Sequence, residues 1–181
     1  MLIPVNLYSL VALGSQFVVV LEEIEGPRLI PIWIGAAEGN SIAMHLNRIQ
    51  LPRPMTHDLI INLINLWKSK IVKVVITELK ESTFYASLYL QQNNHIEEID
   101  ARPSDSIALA LRASAPLFVD ESVFQQCEPL LKPISKDELN EFKRKLADLK
   151  PEDIYKDINK RPPQAPPPPP TPQAPPTPPK P

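Results

Sequence analysis

At 181 residues with a formal net charge of −2, the chain has room for one domain with or without appendages, and it lacks an overall basic field that would point to nucleic acid. A single cysteine, Cys127, excludes an internal disulfide and a cysteine-based zinc cluster and fits a reducing, intracellular setting. No apolar run reaches the roughly 18 residues of a membrane span, and "MLIPVNLYSL" lacks the basic flank of a secretory leader, so a soluble cytoplasmic protein is expected.

Val5 to Leu10 alternates weakly and predicts a strand, and Gln16 to Glu23 predicts a stronger one. Glu25-Gly-Pro-Arg28 marks a hairpin turn, and Leu29 to Ile34 returns as a strand. Pro31 cannot donate to a ladder, so it points to an edge or a bulge. Gly35 ends that strand, and Ile42, Ala43, Leu46 and Ile49 give the segment from Glu38 to Gln50 a helical stripe. Thr56 is placed to cap a second helix, with Leu59, Ile60, Leu63, Ile64 and Trp67 as its buried face. Ile71–Leu79, Thr83–Leu90 and His95–Asp100 predict an antiparallel meander, whose second turn at Asn93-Asn94 accepts the positive φ of a tight hairpin.

Pro103 suits a first helical position, where its missing N–H would have had no partner. The helix it opens is apolar on nearly every side to Ser114, which predicts burial rather than amphipathicity. Leu117–Val119 is a short strand, and Asp120 caps a short helix through Gln126. Cys127, without a basic neighbour, reads as a buried apolar filler rather than a nucleophile. Ser135-Lys-Asp-Glu138 has the capping-box pattern and starts a charged helix to about Leu149, whose apolar face docks onto the domain or onto another subunit.

Thirteen of the 23 prolines fall within residues 162–181, a segment that favours extended polyproline II and cannot form a core. The expected architecture is α+β: a mixed sheet with an antiparallel meander covered by helices. Residues 1–127 form one compact domain, 128–160 a helical extension and 161–181 a disordered proline-rich tail. That tail serves either as a dock for a protein partner or as a solubilising extension.

Polar residues gather at element ends: Glu38 at a helix start, Arg53 to Asp58 before and into a helix, Asp100 at a strand end, and Arg102 to Asp105 at a helix start. Converging carboxylates bind divalent cations through oxygen, so Asp58, Asp100 and Asp105 are candidate ligands for Mg²⁺ or Mn²⁺. Such an ion would polarise a phosphodiester and activate water, with Glu38 or His57 as the base and Asp58 and Asp105 beside the reacting centre. Arg53 and Arg102 could hold phosphate oxygens, with Thr56 and Ser104 next to them. Each acidic residue also has a structural reading. Asp105 and Asp58 can favour the positive end of a helix dipole or bond back to its first N–H groups, and Arg102 can pair with Asp100 or Asp105. His45 and His95 read as solvent-facing. The chain has no glycine-rich phosphate loop, no GxSxG elbow and no Cys/His zinc spacing.

Four motifs in order carry a resemblance. Leu29-Ile-Pro-Ile-Trp-Ile-Gly35 followed by Glu38, "RPMTHDL" at 53–59, "TFYASL" at 83–88 and "DARPSDSIALALRASAPLFVDE" at 100–121 are similar to the bifunctional nuclease domain family, over roughly Val5 to Phe124. The resemblance implies a compact α/β domain and an ability to degrade DNA and RNA. It also implies clustering of Glu38, Arg53, Thr56, His57, Asp58, Asp100, Arg102, Ser104 and Asp105. Gly39-Asn40-Ser41 departs from the small apolar or Gln residues more usual after the glutamate. Two functions are therefore expected as alternatives. One is a metal-assisted nuclease of low sequence selectivity, whose basic channel would arise in a homo-oligomer. The other is a non-enzymatic regulatory or binding module whose Asp/Arg/His cluster is a structural network or a small-ligand pocket.

Overall fold

The computed structural model describes residues 1–127, 130–133, 141–142, 144–146 and 148. The N-terminal alternation extends well beyond six residues. Strand β1 spans Leu2–Leu13 and turns at Gly14, where φ is +59°, into β2 (Gln16–Glu23), its antiparallel partner. Strand β3 (Arg28–Ile34) continues the hairpin series. Pro31 lies beyond Leu29, the last residue at which β3 has a second neighbour among the described residues, so its missing donor is tolerated at an open edge.

Helix α1 (Ala36–Leu46) and helix α2 (Thr56–Leu66) follow, and then comes the expected meander of β4 (Ser69–Lys80), β5 (Thr83–Gln92) and β6 (His95–Ala101). Asn93 adopts the positive φ, +54°, that the turn requires. Helix α3 (Pro103–Ala113) ends at Ser114 in the left-handed region, and β7 (Leu117–Asp120) inserts parallel to β4 and antiparallel to β1. Helix α4 (Glu121–Gln126) is capped by Asp120, which accepts the Ser122 N–H at 2.9 Å. A two-residue strand, β8 (Leu130–Leu131), completes a mixed eight-stranded sheet of order β6-β5-β4-β7-β1-β2-β3-β8.

Helix α3 lies across β4 and β5 with α1 and α2 packed against it, and α4 covers β4 and β7. This layer encloses the main core, which includes Ile30, Ile42, Val74, Ile76, Ile107 and Val119. On the opposite face, Phe142 and Leu146 pack against Val18, Val20 and Leu29. The C-terminal helical face therefore docks onto this domain, the first of the two destinations expected for it. The capping box at 135–138 and the proline-rich segment lie outside the described residues. No described helix is long and apolar enough to cross a membrane.

Two expectations need correction. The N-cap of α2 is Met55, not Thr56, because the Asp58 carboxylate already accepts the Met55 N–H at 2.9 Å; Thr56 is the first helical residue. The buried face of α2 is also rotated. His57 and Ile64 are buried and Ile60 and Ile61 partly so, whereas Leu59, Leu63 and Trp67 are exposed. A network of polar groups draws His57 inward and turns the leucines out.

Candidate functional site

Three helices are joined by one chain of hydrogen bonds. Glycine makes the first junction possible. At Gly35, the cap of α1, an added Cβ would collide with Oε2 of Glu38, and at Gly39 it would collide with the Phe17 ring. The absence of these carbons lets the Glu38 carboxylate fold back over the helix start and lets α1 sit close to β2. Glu38 Oε1 accepts from Arg102 Nη2 at 2.8 Å, and Arg102 Nε donates to Asp105 Oδ2 at 2.8 Å. Asp105 Oδ1 lies 3.0 Å from His57 Nε2, and His57 Nδ1 lies 2.8 Å from Ser41 Oγ. Arg112 then donates to Ser41 Oγ from Nη2 at 3.0 Å and to Asp58 Oδ1 from Nε at 2.6 Å.

One assignment of hydrogens satisfies this chain. Arg112 donates to Ser41, the Ser41 hydroxyl donates to His57 Nδ1, and Nε2–H donates to Asp105. The chain is buried at its middle and exposed at both ends: the Arg102 side chain is 66 % exposed, that of Arg112 only 7 % and that of Asp58 40 %. The Arg112 guanidinium, helped by the Met55 N–H, holds the Asp58 carboxyl below its ordinary range. Asp105 and then Glu38 raise Arg102 above its ordinary value, fixing its charge.

The outer end opens into a cleft of about 340 Å³ lined by Trp33, Gly35, Thr83, Phe84, Arg102 and Ser104. Arg53 lies elsewhere, in a separate recess of about 100 Å³ with His45, Asp58 and Arg112. Thr56 is exposed at the start of α2. Asp100 pairs with Ser87 while its neighbour Ala101 pairs with Ala86 of the helix-covered core, so strand alternation sends Asp100 to the other face of the sheet. Of the nine expected site residues, the structure thus links Glu38, His57, Arg102 and Asp105 directly, with Ser104 at the cleft and Asp58 reached through Arg112 and Ser41.

Asp58, Asp100 and Asp105 do not fit a shared divalent cation. They do not converge, and Asp58 and Asp105 already accept from arginines. Among the described residues, no group of three or more His, Cys, Asp or Glu could hold a metal ion. Two members of the network were missed. Ser41 looked like a departure from a pattern, yet it carries the bond to His57. Arg112 is the one charged side chain of α3 beyond its first turn, at the end of the apolar run Ile107–Leu111, and that position was the available signal.

The architecture and site define an α+β domain with an arginine on a largely apolar cleft, braced by three helices. The chain belongs to the bifunctional nuclease domain family, whose model matches residues 19–131. It is 38% identical over 149 residues to an uncharacterized protein of Mycobacterium tuberculosis, covering 77% of this chain and 89% of that one. It is also 28% identical over 98 residues to bifunctional nuclease 1 of rice (Oryza sativa subsp. indica), covering 52% of this chain and 30% of the rice protein.

Proposed function

We propose that this domain hydrolyses phosphodiester bonds of DNA or RNA, with low sequence selectivity, in the cleft between Gly35 and Ser104. The observation that carries the reading is Arg102. Its guanidinium stands at the cleft, held from behind by Glu38 and Asp105, and its Nη1 makes no hydrogen bond among the described residues. A phosphate can thus be gripped without breaking the brace. Ser104 lies in the cleft wall beside it. Glu38 Oε2 is the carboxylate oxygen next to this cleft with no hydrogen-bond donor among the described residues, whereas both oxygens of Asp105 are engaged. Glu38 is therefore the base. It takes the proton of the attacking water as that oxygen bonds phosphorus and the ester P–O bond breaks, and solvent protonates the leaving oxygen.

His57 is buried with both ring nitrogens engaged, so it acts as a positioning residue for Asp105. Asp58 plays the same part for Arg112. Cleavage of single-stranded and double-stranded DNA and RNA by purified wild type and Glu38→Gln, with Mg²⁺, with Mn²⁺ and with EDTA, tests the reading. Loss of cleavage in the variant supports it, and equal cleavage by both proteins removes Glu38 from the chemistry.

A second reading is favoured by the burial of the inner half of the network, which makes Arg112, Ser41 and His57 a helix brace. In that reading the domain is a binding module whose Arg102 cleft holds a small anion without turning it over. Glu38→Gln would then change anion binding while no metal condition gave hydrolysis.

A further inference from the structure

We infer that the outer face of α2 is the contact surface between two copies of this chain, a conclusion independent of the hydrolytic reading. The residues at helical spacing on that face are Leu59, Leu63, Leu66 and Trp67, which are 51, 37, 73 and 59% exposed. They leave on the order of 400 Å² of apolar surface, about the size of the largest patch on an ordinary monomer and half of the roughly 800 Å² that each partner gives to a standard interface. Ile49 and Leu51, which line the recess beside Met55 and Asp58 at the start of α2, are exposed as well.

The stripe has the spacing of a core-facing helix, and it belongs to a helix whose other face is already committed to the domain through His57 and Ile64. Charge selects the occupant. From Leu59 to Trp67 the sequence "LIINLINLW" has no ionisable side chain. Two such helices related by a two-fold axis meet without like-charge repulsion, as an isologous interface requires. A lipid surface would instead favour an interfacial helix with lysine and arginine on its polar face, whereas α2 itself carries neither and the nearest lysines, Lys68 and Lys70, lie beyond its end. The first turn of α2 carries His57, which bonds Asp105 beside Arg102, so a dimer paired along α2 carries two such networks on one particle.

Sedimentation equilibrium of the full chain at micromolar concentration reads the association directly. Wild type is expected at twice the 20.3 kDa of one chain. Leu63→Glu with Leu66→Glu is expected to be monomeric, its dissociation constant raised at least ~100-fold, since each glutamate must be desolvated without a partner. Ile24→Glu, exposed elsewhere, should leave the dimer intact. Far-UV circular dichroism confirms that each variant folds. Hydrogen exchange of wild type at high and low concentration needs no variant, and α2 should gain protection on association. A monomeric wild type overturns the inference, including one whose stripe takes up anionic vesicles. A dimer that the two glutamates leave intact, with α2 exchange unchanged by concentration, overturns it as well.

Discussion

His57 joins Ser41 to Asp105, with Nδ1 2.8 Å from the serine oxygen and Nε2 3.0 Å from the carboxylate. The imidazole is buried, and it ties the middle of α1 to the start of α3 through the first turn of α2. Removing it takes one of its two partners from the buried Ser41 hydroxyl and leaves one Asp105 oxygen without its donor. His57→Ala is expected to cost about 1–3 kcal/mol in urea unfolding. A double-mutant cycle with Asp105→Asn should return a coupling of at least about 0.5 kcal/mol, as for side chains in one network. Additive losses would mean that the two residues act separately.

Asp58 gives the domain an acid-sensitive element. Its carboxyl is held below the ordinary value of 3.8 by Arg112 and the Met55 N–H. The unfolded chain therefore binds this proton more readily than the folded one, and stability rises with pH through that window. The contribution is complete above the ordinary value and is lost as pH falls through the lower folded one. Asp58→Asn should lower Tm at pH 7, and the gap between variant and wild type should close below pH 3.8. A gap independent of pH would mean that the charge contributes nothing.

The two glycines of α1 separate geometry from stability. Alanine at Gly39 meets the Cβ and ring of Phe17, which cannot move without shifting β2, and should lower Tm by several degrees. Alanine at Gly35 meets only the tip of the Glu38 side chain, which can swing away. Gly35→Ala should therefore cut cleavage at least ~10-fold through a misplaced base while Tm moves little. The opposite ranking would contradict the packing described for these positions.

Phe142 tests the second layer. It is buried against Val18, Val20 and Leu29, and its ring meets Tyr8 edge-on at 6.2 Å between centroids. Phe142→Ala is expected to destabilise the domain by about 3 kcal/mol, at the lower end for a buried phenylalanine. A change below 1 kcal/mol would show that this face contributes little to the fold.

Most of the fold was legible because local signals agreed. Pro103 one turn ahead of the apolar run Ile107–Leu111 marked the start of a buried helix, and Asn93 and Asp120 sit where turn and cap chemistry require them. The rotation of α2 was not legible, since His57 enters the interior only because Ser41 and Asp105, from two other helices, complete its hydrogen bonds. The cluster of acidic residues was legible as a list but not as geometry. Strand alternation alone removes Asp100 from it, and that requires knowing which face of β6 the helices cover. Arg112 was hidden because a single arginine in a buried helix announces a partner without naming it.

Arg102 is the most direct test. Its side chain is largely exposed, so replacing it should cost little stability. The cleavage rate of single-stranded DNA and RNA by Arg102→Met should fall by at least ~100-fold in kcat/KM, with Tm within a few degrees of wild type. Undiminished cleavage by a folded Arg102→Met protein would contradict the assignment of this cleft as the hydrolytic site.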